Sequence, residues 1–126
     1  LTYGLERICM FVQGKKNVFD IDWNDNGVKY GDVYLQSEKE FSAYNFDQAN
    51  TDSLLKNFEI AEQECKNLLD QKLPLPAYDQ CLKASHIFNL LDARGVIAVA
   101  ERTGYINRIR ELAKGAGSGW LENQER

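Results

Sequence analysis

The chain has 126 residues, 44% of them hydrophobic and 27% charged, enough for one ordinary domain with a modest core. No apolar run approaches the roughly 20 residues that a bilayer-spanning helix needs, and a net charge of −4 excludes a general nucleic-acid glue. Three scattered cysteines without a C-x-x-C pair suit a reducing cytoplasm rather than a disulfide scaffold, and with a single histidine a zinc site is not expected.

In chain order, Leu1–Gly4 reads as the end of a strand, too short to stand alone and in need of a sheet that lies elsewhere. From Leu5, apolar residues recur at Leu5, Ile8, Cys9 and Val12, one face of a helix that Gly14 would stop, with Lys15 and Lys16 beside its negative end. The first turn of that helix carries Glu6 and Arg7. A permanently charged guanidinium next to the amide-rich, electropositive end of a helix is a good setting for the phosphates of a nucleotide. The same pair would equally serve only to cap and solubilise the helix.

Val18–Trp23 reads as a strand or a single helical turn, and Asn24–Gly27 as a turn by composition. Asp20, Asp22 and Asp25 do not make a calcium loop, because the terminal glutamate and the full ligand set are missing. Asp32 is placed to cap a helix through about Tyr44, with Val33, Phe41 and Tyr44 available for burial. Trp23, Tyr30, Tyr34 and Tyr44 read as aromatic core, with an interface as the alternative.

The clearest helix starts at an Asn50 or Thr51 cap and holds a 3.6-residue period through Leu54, Leu55, Phe58, Ala61, Cys65, Leu68 and Leu69. Pro74 and Pro76 end the connector, and Pro76 suits the first turn of a following helix whose inner face reads Tyr78, Cys81, Leu82, Ser85 and Phe88. His86 reads as a buried or half-buried hydrogen-bonding residue, and Cys9, Cys65 and Cys81 as core packing. A last helix runs from about Val96 to Lys114, with Val99, Ile106, Ile109 and Ala113 inward and Gly104 weakening it. Gly115, Gly117 and Gly119 are expected to stop it, leaving a loose tail.

The expected fold is therefore mainly α, a bundle of four to five helices led by one short strand. Its expected division is a strand–helix piece over 1–16, a connecting segment with a helix over 17–49, a helical domain over 50–114 and a flexible tail over 115–126. From Arg94 to Lys114, five basic residues stand against two acidic ones, a net +3 that leaves −7 for the rest of a chain totalling −4. A basic helix on an acidic body fits one directed RNA or phosphate contact, or a solvated face with internal ion pairs.

A longer series of segments then acquires meaning in its order: Thr2-Tyr3-Gly4-Leu5-Glu6-Arg7, Tyr30-Gly31-Asp32-Val33, Ala43-Tyr44-Asn45-Phe46, Leu73-Pro74-Leu75-Pro76-Ala77-Tyr78, Phe88–Arg94, Glu101-Arg102 and Tyr105-Ile106 with Arg108-Ile109-Arg110. The first resembles motif 3 of class II aminoacyl-tRNA synthetases. The whole, over about residues 1–114, resembles the alpha subunit of the bacterial two-subunit glycyl-tRNA synthetase; Gly115–Arg126 does not obviously fit. The resemblance implies that the leading strand belongs to the antiparallel sheet of the class II catalytic domain. It implies a cytoplasmic ligase using ATP and Mg²⁺ to activate glycine and pass it to tRNA(Gly), as a homodimer of alpha subunits within an alpha2beta2 tetramer with the beta subunit, and no membrane.

On the same resemblance Arg7 covers the adenine and reaches the gamma-phosphate, Glu6 supports it, Gly4 leaves room for the nucleotide, and Thr2 faces the amino-acid pocket. Arg94, Arg102, Arg108 and Arg110 would reach tRNA or the partner subunit. The abrupt start at Leu1 reads as a piece cut from a longer chain, and motifs 1 and 2 are not in it, so it is expected to be inactive by itself. The alternative is a non-catalytic helical module that binds a partner subunit or tRNA.

Overall fold

The computed structural model describes residues 3–124. Five α-helices account for most of them: α1 (Leu5–Val12), α2 (Tyr30–Ala43), α3 (Thr51–Asp70), α4 (Pro74–Ala93) and α5 (Val99–Gln124). There is no strand among the described residues, so the expected mainly α architecture holds. Leu1 and Thr2 of the leading segment lie outside the described residues; Gly4 is extended, at φ −78° and ψ 118°. No helix among those described is long and apolar enough to cross a membrane. The chain divides into two compact units, Leu1–Tyr44 and Asn45–Arg126.

In the first unit, α1 ends as the glycine at position 14 predicts. Gly14 takes φ +64°, its N–H reaches the Phe11 carbonyl at 3.2 Å, and the Lys15 N–H reaches the Met10 carbonyl at 2.8 Å. This is the paired-bond ending that a left-handed residue allows. Val18–Asp20 forms one 3-10 turn, capped by the Asn17 side chain accepting from the Phe19 N–H at 3.0 Å. Asp22 and Lys29 then make a single antiparallel bridge around the Asn24–Gly27 turn, which Asn24 closes by accepting from the Asn26 N–H at 2.9 Å.

Helix α2 begins two residues before Asp32. That residue stands at the third helical position rather than at the cap position, and still helps to cap the helix, its carboxylate accepting from the Lys29 N–H at 2.8 Å. Ile21 is the sole buried residue of this unit among those described. The expected burial of Val33, Phe41 and Tyr44 does not occur: all three are exposed. Trp23, Tyr30 and Tyr34 do gather, with Tyr30 and Tyr34 ring centres 4.7 Å apart and Trp23 edge-on to Tyr34 at 5.7 Å. They form a surface cluster rather than a core, since Trp23 and Tyr34 stay exposed.

The second unit is a three-helix bundle. Asn50 caps α3 by accepting from the Ser53 N–H at 2.9 Å, and Leu54, Phe58, Ala61 and Cys65 are buried as the period requires. Lys72, at φ +62°, ends α3 in the same paired-bond way as Gly14, and Gly95 does so for α4. Pro74 opens α4, where a missing N–H costs nothing.

The inner face of α4 differs from expectation. It runs through Ala77, Cys81, Ala84, Phe88 and Leu91, while Tyr78 and Leu82 are exposed and Ser85 is half-buried. The alanines let the neighbouring helices approach closely, and the bulkier side chains turn outward. Helix α5 likewise presents Leu112 and Ala116 inward with Tyr105, Ile106 and Ile109 packed alongside, whereas Val99 and Ala113 are exposed.

The flexible tail expected over 115–126 is corrected by α5, which continues to Gln124; residues 125 and 126 lie outside the described ones. Two of its glycines, Gly115 and Gly119, sit where neighbours are near. A Cβ on Gly115 would come within 2.8 Å of Leu69 Cδ1, and one on Gly119 within 3.4 Å of Pro74 Cβ. The Asn123 amide donates to the Lys72 carbonyl at 3.2 Å, tying the end of α5 to the α3–α4 corner.

Gly104 and Gly117 have open space where a Cβ would go. Gly104→Ala and Gly117→Ala are therefore each expected to raise stability by about 0.5–1 kcal/mol, by removing glycine's excess entropy from a helix interior. Gly115→Ala should give less or lose stability. Thermal denaturation of the three variants beside the parent checks the order.

Candidate functional site

The start of α1 is open. Gly4 occupies its N-cap position and offers no side chain to the first-turn N–H groups, which lack intrahelical partners by construction. Arg7 stands on that turn, exposed and without a hydrogen bond or ion pair among the described residues. It lines an open hollow of about 430 Å³ with Tyr3, Gly4 and Ile8. Gly4 has no positive φ to justify it, and a Cβ there would meet only Arg7 Cβ, at 3.9 Å. Nothing among the described residues demands glycine at this place.

Glu6 does not share that hollow. Successive helix residues point about 100° apart, and Glu6 turns to a second cavity of about 300 Å³ lined with Leu5, Cys9, Ile21, Asp22, Trp23, Tyr30 and Tyr34. There its carboxylate accepts from the Tyr30 hydroxyl at 3.3 Å. Partial burial first, and the Glu6 carboxylate second, push the Tyr30 phenol above its usual range. Thr2, expected at the amino-acid pocket, lies outside the described residues.

The far end of α1 is fastened to the bridge segment by a residue for which the sequence offered no signal. The Gln13 side-chain amide donates to the Asp22 carbonyl at 3.1 Å and accepts from the Asp22 N–H at 2.7 Å. The Asp22 carboxylate pairs with Lys15 at 2.8 Å and also with Lys29. Hydrogen bonds from Lys15 and then Lys29 hold that carboxyl down at about 2. Lys15, expected to serve the helix dipole, serves Asp22.

In the helical unit the four arginines part company. Arg94 donates to the Ala49 carbonyl at 2.7 Å. Arg102 shares its Nε with both oxygens of Asp92, at 3.2 and 3.1 Å. Arg108 pairs across to the buried Glu62, with Nε donating to Oε1 at 3.1 Å. Its guanidinium also lies 4.6 Å from the ring centre of Phe58 and 5.0 Å from that of Tyr105. Glu111, three residues on in the same helix, takes no part in the pairing with Glu62. Arg110 is exposed and, with Lys114, makes no ion pair among the described residues.

The hydrogen bond from Arg108, aided by Lys66, holds the Glu62 carboxyl below the usual glutamate range. A lowered native value means that the ion form stabilises the fold fully above the unfolded value, roughly pH 4.3, and that this contribution fades as pH falls toward the native one. Wild-type stability should therefore drop more steeply below about pH 4.3 than that of Glu62→Gln. Acid-series denaturation of both proteins measures the difference in slope.

Other candidates are quiet. His86 is exposed rather than buried, and Cys9 is exposed, contrary to its expected place in a core. Cys65 and Cys81 are buried, and burial raises both thiols above their usual range, which keeps them inert at neutral pH. Among the described residues no group of three or more His, Cys, Asp or Glu side chains is placed to hold a metal ion.

Comparison with protein families leads to the aminoacyl-tRNA synthetases, ligases of protein biosynthesis. The matching family is the Glycyl-tRNA synthetase alpha subunit, over residues 1–125, and the chain belongs to it. The match takes in Gly115–Gln124, which the motifs alone left unassigned. Synthetases of this kind generally use ATP and Mg²⁺, and an alpha subunit implies a beta subunit and tRNA as partners.

Proposed function

We propose that the subunit to which this chain belongs activates glycine with ATP and charges tRNA(Gly), with Arg7 as the residue of this segment that holds the nucleotide. The glycine carboxylate attacks the alpha-phosphorus, pyrophosphate leaves, and the glycyl group passes from the adenylate to the 3′ end of tRNA. No protein nucleophile takes part, so catalysis rests on placement and charge. What supports the reading is an uncapped helix start bearing an unpaired guanidinium beside a hollow, in a chain of this family.

Arginine suits the task because it stacks on a base like an aromatic and pairs with phosphate without titrating. The free space before Gly4 is consistent with a nucleotide passing there. Glu6 takes a supporting part from the other side of the helix, through Tyr30. Mg²⁺ in such enzymes is commonly held by one or two carboxylates together with the substrate phosphates, and the described residues hold no group of three or more ligand side chains for it.

A contact to tRNA or to the beta subunit by the helical unit is part of the same reading. With Arg94, Arg102 and Arg108 bonded to Ala49, Asp92 and Glu62, Arg110 and Lys114 are the cations of α5 that make no ion pair among the described residues. Such a contact would give salt-dependent affinity without sequence reading. Glycine-dependent exchange of pyrophosphate into ATP, measured on the full-length alpha subunit with its beta partner, tests the central claim. Absence of exchange under conditions where the complex binds tRNA(Gly) would leave the non-catalytic binding module as the better description.

A further inference from the structure

We propose that the groove between α4 and α5 receives a helix of the beta subunit, one that sets an apolar side against Tyr78 and Trp120 and carboxylates against Arg110 and Lys114. The inference deepens the reading above, in which the helical unit meets tRNA or the beta subunit, and commits to the second.

The groove is built by contacts inside the unit. Helices α4 and α5 run antiparallel, with Pro74 close to Gly119, the Cys81 thiol donating to the Ile109 carbonyl at 3.7 Å, and Arg102 paired with Asp92. Asn123 fastens the end of α5 to the corner before α4. These ties set the spacing of the two walls, so the shape of the groove does not depend on chain outside it.

Between the walls lies a hollow of about 230 Å³, whose lining includes Pro74, Leu75, Tyr78, Ala113, Gly117 and Trp120. Leu75 is 69% and Trp120 44% exposed, and Leu82 continues the row one turn beyond Tyr78. Two aromatics and two leucines gathered on one surface are where burial on association stabilises most. Ala113 and Gly117 form the floor. Nothing stands within 4 Å of where a Gly117 Cβ would lie, so a partner's backbone has room to approach.

Charge identifies the occupant. Arg110 and Lys114 stand three residues before Ala113 and Gly117 on α5, and so form the next row outward, along the rim. Both are exposed and make no ion pair among the described residues. The outer side of α4 carries Asp79 and Lys83, one charge of each sign, which leaves the surroundings of the groove positive. An apolar floor with a cationic rim is the counterpart of an amphipathic helix flanked by Asp or Glu. The same lining disfavours RNA. Pro74, Leu75, Ala113 and Gly117 offer no side-chain donor to phosphates or base edges, whose desolvation there would go uncompensated. A chain of this family has a second kind of subunit to supply such a helix.

The test places a thiol on the groove floor of the full-length alpha subunit by Gly117→Cys and follows its labelling by a maleimide, with the parent as background. Labelling is expected to be fast in the alpha subunit alone and unchanged by tRNA(Gly) alone. Beta subunit at roughly ten times Kd should slow it about tenfold. Leu75→Asp and Trp120→Ala should each raise the alpha–beta Kd about tenfold or more. Arg110→Gln combined with Lys114→Gln should raise it about threefold and flatten its dependence on salt.

A thiol already protected in the alpha subunit alone would mean that its own upstream domain fills the groove. Protection by tRNA alone would make the groove an RNA site, and no protection by either would leave it without a partner. Each of these results overturns the proposal, as does a Kd within about twofold of the parent for Leu75→Asp, whose exposed position spares the fold. Labelling requires neither ATP nor glycine. A parent complex that failed to activate glycine would therefore strike the catalytic reading and leave this one standing.

Discussion

Arg7→Ala in the full-length subunit is expected to lower glycine-dependent pyrophosphate exchange by about a hundredfold or more, with the fold undisturbed. The magnitude follows from removing one preorganised charge from a reaction whose catalysis is electrostatic, where single donors are worth about 10²–10³ in rate. The second half follows from exposure. Arg7 bonds to nothing among the described residues, and a surface substitution of that kind usually moves stability by within about 0.5 kcal/mol.

Loss of activity without loss of stability separates a ligand-holding residue from one that caps a helix. Were Arg7 only solubilising the first turn of α1, activity would follow stability, and both would change little. Arg7→Lys adds a finer distinction. Lysine keeps the charge and loses the flat, stacking face, so it should recover part of the pyrophosphate-releasing rate and little of the affinity for the adenine end. Exchange kinetics at varied ATP, beside thermal unfolding of each variant, decide the matter. An exchange rate within about threefold of the parent in Arg7→Ala would refute the assignment.

Much of this arrangement was legible because single-helix rules suffice for it. Asn50 before a run of apolar residues at 3.6 spacing announced α3, and the same spacing named Leu54, Phe58, Ala61 and Cys65 as its inner side. Gly14 and the Asn24–Gly27 turn were equally local. What escaped depends on neighbours far along the chain. Alanines 77 and 84 carry no signal beside Tyr78 and Leu82, yet they face inward because α3 and α5 come close.

Gly115 and Gly119 look like helix stops until Leu69 and Pro74 are seen under them, where a glycine makes close approach possible. The site shows the same boundary. The place of Arg7 in the first turn of a helix could be read from Gly4 and the apolar spacing that follows it. The separation of Glu6 from Arg7 was available from helix geometry, since consecutive residues do not share a face. Gln13 was not, because an uncharged amide at a helix end gives no hint of a partner nine residues on. The use of Arg108 was equally hidden, its acid standing 46 positions earlier on another helix.

Phe58→Ala is expected to be the most destabilising substitution in the helical unit, at about 3–5 kcal/mol. The side chain is 1% exposed, in the middle of α3, and its removal leaves a cavity that α4 and α5 can only partly close. Two further contacts go with it. Tyr105 stands edge-on at 5.0 Å, and the Arg108 guanidinium lies over the ring at 4.6 Å. Arg108 would then keep the Tyr105 ring but lose its other aromatic wall, loosening its grip on Glu62. Because Arg108 is more than a third exposed, the ion pair itself should count for less than the packing around it.

Phe58→Leu keeps most of the volume and should cost clearly less than the alanine variant. The difference between the two isolates cavity formation from loss of the ring. A coupling of about 0.5–2 kcal/mol between Phe58→Leu and Arg108→Met would report the cation–ring contact, and its absence would assign the whole effect to packing. Denaturant unfolding gives both numbers, provided the slope m stays constant across the set. A loss below about 1 kcal/mol for Phe58→Ala would mean that α3, α4 and α5 do not share the core described, since full removal of a buried aromatic cannot be that mild in a packed bundle.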